Sequence, residues 1–308
     1  MNFTNEEFML YLNKYRSFVD EISLKYNYTN NISHLLYVIV PAFVFKYGIR
    51  EERYILDIFR NVPVIISDRG DLVYQASFSR NLRTVNGEYV SDKCIYLYNY
   101  QDISLMQLLD NLVHEFNHAV NSIKNEILFD EKHVYLRTGL TNILYDKNTL
   151  KSVNTKGNII LEEVINTKQT EMIIHLISEF SKYEIDDSEI ENIIYSVKKW
   201  DAGLYKSKSY YLEATVCKKL LENRTFISTL ENLRYQGEVL DLDGWFDNIT
   251  GEVGSFKLLS ELLNKTIKLE EELVNTKWFK KSKINMINSH IREVLDITDK
   301  FNNNCNYR

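Results

Sequence analysis

Cysteine, proline and glycine are all scarce in this 308-residue sequence, and each scarcity excludes a class of protein. Three cysteines, an odd number with no close pair, do not suit the disulfide framework of a small secreted domain, so we expect a reducing, cytoplasmic compartment. Two prolines and ten glycines are few for a sandwich or barrel, which needs a turn about every 8–12 residues. Long uninterrupted helices are therefore expected.

The sequence also lacks an excess of positive charge and any long apolar run. The 37 basic residues are outnumbered by 43 acidic ones, and because nucleic-acid binding needs a clustered positive excess, we expect no nucleic-acid partner. The longest apolar run, residues 35–45, contains Pro41 and is about half of the roughly 20 residues that a bilayer-spanning helix needs. The N-terminus lacks a basic segment followed by an apolar one. The sequence therefore predicts neither a signal peptide nor a membrane span.

The composition that is present is that of a folded globular protein, with 44% hydrophobic and 26% charged residues. The hydrophobic periodicity predicts an α+β, predominantly α-helical fold in three segments. Residues 1–62 are expected to form an N-terminal helical segment, and residues 63–184 a core with a small mixed β-sheet. Residues 185–308 are expected to form a helical C-terminal subdomain that completes a cleft.

Within the central segment, alternation and helical period each mark particular stretches. Alternating patterns predict three short strands, at residues 63–67, 72–80 and 93–100. Turns are expected near Arg69-Gly70 and Asn86-Gly87, and residues 133–140 also have β character. Helical periodicity predicts helices over residues 103–125 and 160–180, approximately, and a succession of helices from residue 185 onward.

The helix predicted over residues 103–125 contains an HExxH motif formed by His114, Glu115 and His118. Because residues four apart lie one above the other on a helix, both imidazoles can bind one metal ion. Glu115, about 100° around the helix from His114, would lie beside a water bound to that metal and act as the general base. Zinc would lower the pKa of the water towards neutrality. The motif thus predicts hydrolysis without a covalent intermediate.

The surroundings of the motif favour a metal site over a structural role for the histidines. Apolar residues at helical spacing form a stripe that should face the core, whereas His114 and His118 share the other side with Asn111 and Asn121. Structural core histidines would lie on the apolar stripe. A solvated face would usually carry lysine and glutamate rather than histidine and asparagine. We therefore predict that His114 and His118 bind a metal.

A catalytic zinc usually has three protein ligands, so one more is needed. A metzincin would have glycine at 121 and histidine at 124, and the chain has Asn121 and Lys124, which excludes that class. A carboxylate on the following helix remains, and Glu162 and Glu163 both lie in its expected first turn, where side chains can point into a cleft. If neither binds the metal, the next candidates are Cys94 and Asp130.

With these residues the chain resembles the zincin metallopeptidases, and among them the gluzincins, whose third ligand is a glutamate on a helix after the HExxH helix. Leu161-Glu162-Glu163 is similar to the start of that helix, with Glu162 in place of the family's asparagine. The resemblance therefore implies Glu163 as the third ligand, with Glu162 as the alternative. The segment Tyr211-Leu-Glu-Ala214 is similar to one in the aminopeptidase branch, which implies that Tyr211 stabilises the oxyanion.

The resemblance covers about residues 63–220 and implies a zincin-like catalytic core, a Zn²⁺ cofactor and a peptide or protein substrate. Zincin clefts usually bind the substrate as an added strand beside the sheet edge, here residues 72–80 or 93–100. Two other functions stay open. One is a non-catalytic zincin-fold binding protein, and the other is a metal-dependent amidase that acts on a non-peptide substrate. The sequence identifies neither the substrate nor the oligomeric state.

Overall fold

The computed structural model describes residues 3–68, 75–124, 126–157, 159–202, 217–237, 242–275 and 280–305. These residues form an α+β, predominantly α-helical fold with two small sheets, which confirms the predicted fold class. The chain divides into two compact units, each built from two segments: Met1–Val120 with Gln169–Ser207, and Asn121–Lys168 with Lys208–Arg308. The three segments inferred from the sequence stay a prediction.

The first unit begins with three helices, where the sequence predicts helical structure: α1 (Asn5–Tyr26), α2 (Asn30–Tyr47) and α3 (Glu52–Asn61). A capping box starts α1, because the Thr4 side chain accepts the Glu7 N–H and the Glu7 carboxylate accepts the Thr4 N–H. Gly48 ends α2 with a φ of 89°, a conformation that favours glycine. The helical structure expected for residues 1–62 is present in these three helices.

The longest apolar run of the sequence lies within α2, whose side chains are largely buried. Among the described residues, no single helix is both long and apolar enough to cross a bilayer. The pair formed by Asn30–Tyr47 and Ile49–Asn61 reaches that length and apolarity only jointly, and the chain bends by 113° between the two.

A three-stranded mixed sheet in the first unit is built from β1 (Val64–Ser67), β2 (Ala76–Val85) and β3 (Glu88–Tyr98), in the order β1-β3-β2. The central strand β3 runs parallel to β1 and antiparallel to β2. Asn86 and Gly87 form the two-residue turn between β2 and β3, and both have positive φ, as a type I′ turn requires. The turn predicted at Asn86-Gly87 is thus confirmed. The turn predicted at Arg69-Gly70 lies outside the described residues.

A four-stranded antiparallel sheet belongs to the second unit. Its strands are β4 (Ile127–Phe129), β5 (His133–Thr138), β6 (Thr141–Asp146) and β7 (Ser152–Gly157), in that order. The β character predicted for residues 133–140 is confirmed by β5. The strands β4, β6 and β7 were not predicted. The strand β4 has only three residues, β6 has its apolar residues in one run, and β7 is mostly polar, so none shows apolar alternation.

One helix comes directly before the four-stranded sheet in the chain, and another follows it. The helix α4 (Leu105–Val120) precedes the four-stranded sheet and lies within the predicted residues 103–125. The helix α5 (Ile159–Glu179) follows the sheet and agrees with the predicted residues 160–180 to within one residue at each end. The second unit also contains α7 to α11, and the first unit contains α6. Their bounds are α6 Ser188–Ala202, α7 Lys218–Glu222, α8 Arg224–Gln236, α9 Leu242–Thr250, α10 Ser255–Asn275 and α11 Lys280–Cys305.

The core of the second unit fixes the beginning of α5. Aromatic rings form its centre, and the rings of Phe246 and Phe301 are stacked with centroids 4.6 Å apart. Leu161, Val164 and Ile165 of α5 are fully buried in the same core. Burial of one such side chain contributes about 1.5–3 kcal/mol. The first turns of α5 are therefore held by apolar packing.

Candidate metal centre

The helix α4 carries the HExxH motif in a buried environment. Its apolar side enters the core, where the rings of Phe59 and Phe116 lie 4.2 Å apart between centroids. His114 and His118 lie on the other side and are 8% and 6% exposed. That side is therefore buried, although its residues are polar. A polar helix face enclosed by protein is more typical of a site than of a solvated surface.

Polar residues at the same helical spacing line one side of α4 and one side of α5. On α4 the stripe continues into the following turn and consists of His114, Asn117, His118 and Asn121. On α5 it consists of Glu163, Asn166, Thr167 and Thr170. All are buried except Glu163, which is partly exposed. A hydrogen bond of 3.4 Å from Asn117 Nδ2 to Thr170 Oγ1 joins the two helices. Because Glu163 lies two turns before Thr170, it leaves α5 on the same side.

His114, His118 and Glu163 lie close enough to share a metal ion. One potential ligand atom of each lies within 4.8 Å of the other two. The two imidazole rings are 4.9 Å apart between centroids and inclined at 76°. Two histidines and a glutamate are the donor set of many catalytic zinc sites, whose ligand atoms lie about 3.3 Å apart around a tetrahedral ion. The separations exceed that spacing by at most about 1.5 Å, which small side-chain movements can close, so the donor set fits zinc.

The neighbouring acid, Glu162, points to a different partner. The guanidinium of Arg234 donates from Nε to Glu162 Oε2 at 2.8 Å and from Nη2 to Glu162 Oε1 at 2.5 Å. The N–H of Leu140 donates to Oε2 at 2.9 Å. Both side chains of the ion pair are buried, at 2% and 0% exposure. Consecutive helical residues point about 100° apart, and here Glu162 points to Arg234 while Glu163 lies beside the histidines.

Glu115 is held beside the three-stranded sheet. Its Oε2 accepts the backbone N–H of Phe78 on β2 at 2.6 Å, and the side chain is 8% exposed. Phe78 faces Ile95 across the β2–β3 pair, and the Ile95 N–H donates to Pro63 on the other side of β3. In an antiparallel pair, the N–H and C=O of Phe78 therefore point away from β3. The outer edge of β2 thus lies against α4 at Glu115, and the backbone N–H of Phe78 fixes the direction of that carboxylate.

Cys94 and Asp130, the alternative candidates for the third ligand, do not lie with His114 and His118 in this group of potential ligands. Cys94 is in β3, and burial raises the pKa of its thiol. The Tyr135 hydroxyl and the backbone N–H groups of His133 and Lys132 hold the pKa of Asp130 well below its usual range. Neither residue belongs to the group of potential ligands found in the described part of the chain. Tyr211, the predicted oxyanion-stabilising residue, lies outside the described residues.

Sequence reasoning did not single out Arg234, which stands 72 positions from Glu162 and is one of 37 basic residues. No local pattern distinguishes it from the other basic residues. Its place on the buried side of α8, directly after Leu233, is the one feature that sets it apart. No protein-family model, curated protein or solved structure matches this chain. The functional interpretation therefore rests on the residues of the site.

Proposed function

We propose that this protein is a zinc-dependent metallopeptidase of the gluzincin type. His114, His118 and Glu163 would bind Zn²⁺, and Glu115 would act as the general base. The observation that carries the proposal is the convergence of two imidazoles and one carboxylate from two helices that are far apart in sequence. The carboxylate within the HExxH motif itself, Glu115, is enclosed beside a strand edge.

Zinc, when bound, supplies Lewis acidity that lowers the pKa of a coordinated water and polarises a carbonyl oxygen. The protein must supply a proton acceptor, and the carboxylate of Glu115 takes this role. It accepts a proton from the attacking water and delivers it to the nitrogen of the leaving amine. The N–H of Phe78 donates to this carboxylate and restricts its rotation.

The outer edge of β2 supports a peptide as the substrate. Of the two edges considered from the sequence, residues 93–100 belong largely to the central strand β3, whereas β2 ends the sheet. The N–H of Phe78 already donates to Glu115, and alternate residues of β2 after Phe78 direct their backbone N–H and C=O groups away from β3. An extended peptide added at this edge would form backbone hydrogen bonds beside Glu115. Such pairing recognises the peptide backbone, which a non-peptide amide lacks.

Tyr211 completes the proposal as the residue that stabilises the oxyanion, on the resemblance alone. A cytoplasmic location is also proposed, and it is supported by the cysteines, none of which is in a disulfide. A peptidase in that compartment would need narrow specificity.

Peptide cleavage by the zinc-loaded protein tests the proposal. The protein is incubated with a diverse peptide library, and new termini are identified by mass spectrometry with and without a chelator. We expect cleaved peptides that disappear when zinc is removed. Stoichiometric zinc with no cleaved peptide would instead support a binding protein, and cleavage restricted to non-peptide amides would support an amidase.

The matched variant is Glu115→Gln, assayed on any peptide found in the library. Glutamine preserves the shape and accepts the Phe78 N–H, but it cannot take up the water's proton at neutral pH. We expect zinc content and fold to be retained and the rate to fall about 10²–10⁴-fold. A Glu115→Gln protein that cleaves as fast as the wild type would refute the mechanism.

A further inference from the structure

A buried ion pair lies next to the proposed zinc ligand in the first turn of α5. Arg234, on α8, is fully buried and binds both carboxylate oxygens of Glu162 through the two-pronged geometry of its guanidinium. Its Nη2 also donates to Asn166 Oδ1 at 2.9 Å. Glu162 and Asn166 are one turn apart, so the guanidinium contacts successive turns of the same helix.

Backbone segments of the second unit enclose this ion pair. Arg137 Nη1 donates to the carbonyl oxygens of Arg234 and Gly139, both at 2.9 Å, and is itself buried. Gly139 has a φ of +55°, and a Cβ built there would lie only 2.0 Å from Glu162 Oε2. Only glycine allows the loop to approach this closely. The Glu162 carboxylate is thus enclosed by α8 and by the loop between β5 and β6.

Stability alone does not account for a charged pair at this position. Apolar residues surround it, including Leu161 before it on α5 and Leu233 before it on α8. Buried ion pairs can often be replaced by apolar residues without loss of stability, because desolvation offsets the attraction between the charges. The pair gives directionality that apolar contacts lack, since the planar fork of an arginine fixes both the distance and the orientation of the carboxylate.

We propose that the Glu162–Arg234 ion pair positions Glu163 for metal binding, an inference that rests on the proposed zinc site. Glu162 and Glu163 are consecutive residues of one helix, so fixing Glu162 fixes the rotation of the first turn and the direction in which Glu163 leaves it. The first turn is also where backbone N–H groups lack helical partners and where helices fray. Arg234 is therefore a positioning residue that acts on the metal through Glu163.

The central variant is Arg234→Lys, which keeps the positive charge but loses the two-pronged contact. Zinc affinity is measured by competition with a chromophoric chelator, and the ligand arrangement is followed by the visible absorption spectrum of the Co²⁺-loaded protein. We expect zinc affinity to fall about 10–100-fold, as is usual for residues that orient ligands, together with an altered Co²⁺ spectrum. Gly139→Ala displaces the Glu162 carboxylate from the opposite side and should act in the same direction.

The control is Asn223→Ala, which removes the N-terminal cap of α8 and so destabilises the same helix far from Glu162. Denaturant midpoints are measured for all variants. We expect the control to keep the zinc affinity and Co²⁺ spectrum of the wild type. An equal loss of affinity in Asn223→Ala would show that general destabilisation, and not positioning, is responsible, and would overturn the inference.

The remaining outcomes separate this inference from the proposed peptidase function. Wild-type affinity and spectrum in folded Arg234→Lys and Gly139→Ala would overturn the positioning role even if the wild type cleaves peptides. A wild type that binds zinc without cleaving peptides would overturn the peptidase proposal, and weakened zinc binding in Arg234→Lys would still support positioning. A wild type with no affinity for zinc would overturn both.

Discussion

The helices α4 and α5 carry polar residues at the same spacing, yet they specify the proposed metal ligands in different ways. On α4, His114 and His118 are placed together by one local rule, the helical repeat. On α5, two adjacent glutamates have the same chemistry, and the contact that distinguishes them comes from Arg234, 72 positions away. Local spacing therefore determines one half of the site, and tertiary contacts determine the other.

The two helices also differ in how their apolar residues are arranged. The apolar residues of α4 form a single stripe opposite the histidines. In α5, apolar residues such as Leu161 and Ile165 are fully buried, but so are Asn166 and Thr170. Both helices bury polar residues, but the buried apolar residues of α5 form no single stripe, because Ile173 and Ile177 leave the helix on a different side from Leu161 and Ile165. The role of each side of α5 is consequently decided by its neighbours.

The largest expected effect comes from breaking the α4 half of the site with His118→Ala. Two remaining ligands hold zinc weakly, so most of the metal and all measurable zinc-dependent activity should be lost. Elemental analysis of the purified protein gives the zinc content. Full zinc occupancy in His118→Ala would remove this histidine from the site, and His114→Ala should behave in the same way.

For the α5 half of the site, a comparison of Glu163→Ala with Glu162→Ala shows which glutamate binds the metal. Glu163→Ala should lose zinc with little change in the free energy of unfolding of the apo-protein, because the side chain is partly exposed. Glu162→Ala should still fill with zinc at saturating metal, but it leaves the buried charge of Arg234 unpaired, which costs about 3–5 kcal/mol of stability. Zinc content and urea denaturation of the metal-free proteins distinguish the two. If both variants keep zinc, the third ligand lies elsewhere.

The smallest effect concerns Asp187, an acid that precedes α6 and contrasts with Glu162 because it is less buried. Burial raises its pKa, but the N–H groups of Ile190 and Glu189 and the guanidinium of Arg16 outweigh this and hold the pKa below its usual value. A lowered folded-state pKa stabilises the fold above the unfolded pKa of about 3.9, and this contribution disappears as the pH falls through the folded value. Asp187→Asn should therefore lower the free energy of unfolding near neutral pH. Below about pH 4, the variant should lose less of its remaining stability than the wild type does.

Denaturant midpoints measured between pH 5 and pH 3 check this prediction. The matched control is Asp186→Asn, which removes the same charge at the exposed neighbouring position. Equal pH profiles for wild type and Asp187→Asn would contradict the assigned role of these hydrogen bonds.

Features that depend only on residues close together in the sequence could be predicted. The helix bearing His114 and the turn at Asn86-Gly87 are of this kind, since helical period and turn chemistry act over a few residues. The strands β4 and β7 could not be predicted, because they are stabilised mainly by pairing with β5 and β6. The choice between Glu162 and Glu163 likewise depends on Arg234, which is distant in sequence. The ligation of zinc itself stays a prediction.

The division of each unit into two segments has a consequence for synthesis on the ribosome. The unit that contains α4 is completed only by residues 169–207, and Phe8, fully buried, packs against Phe180 and Tyr183 from that late segment. At about 5–20 residues per second, translation from residue 120 to residue 207 takes roughly 4–17 s. Throughout this interval the nascent chain exposes apolar surface that its later partners will cover. A chain stalled between residues 120 and 168 should therefore be a substrate for chaperones that bind unfolded segments.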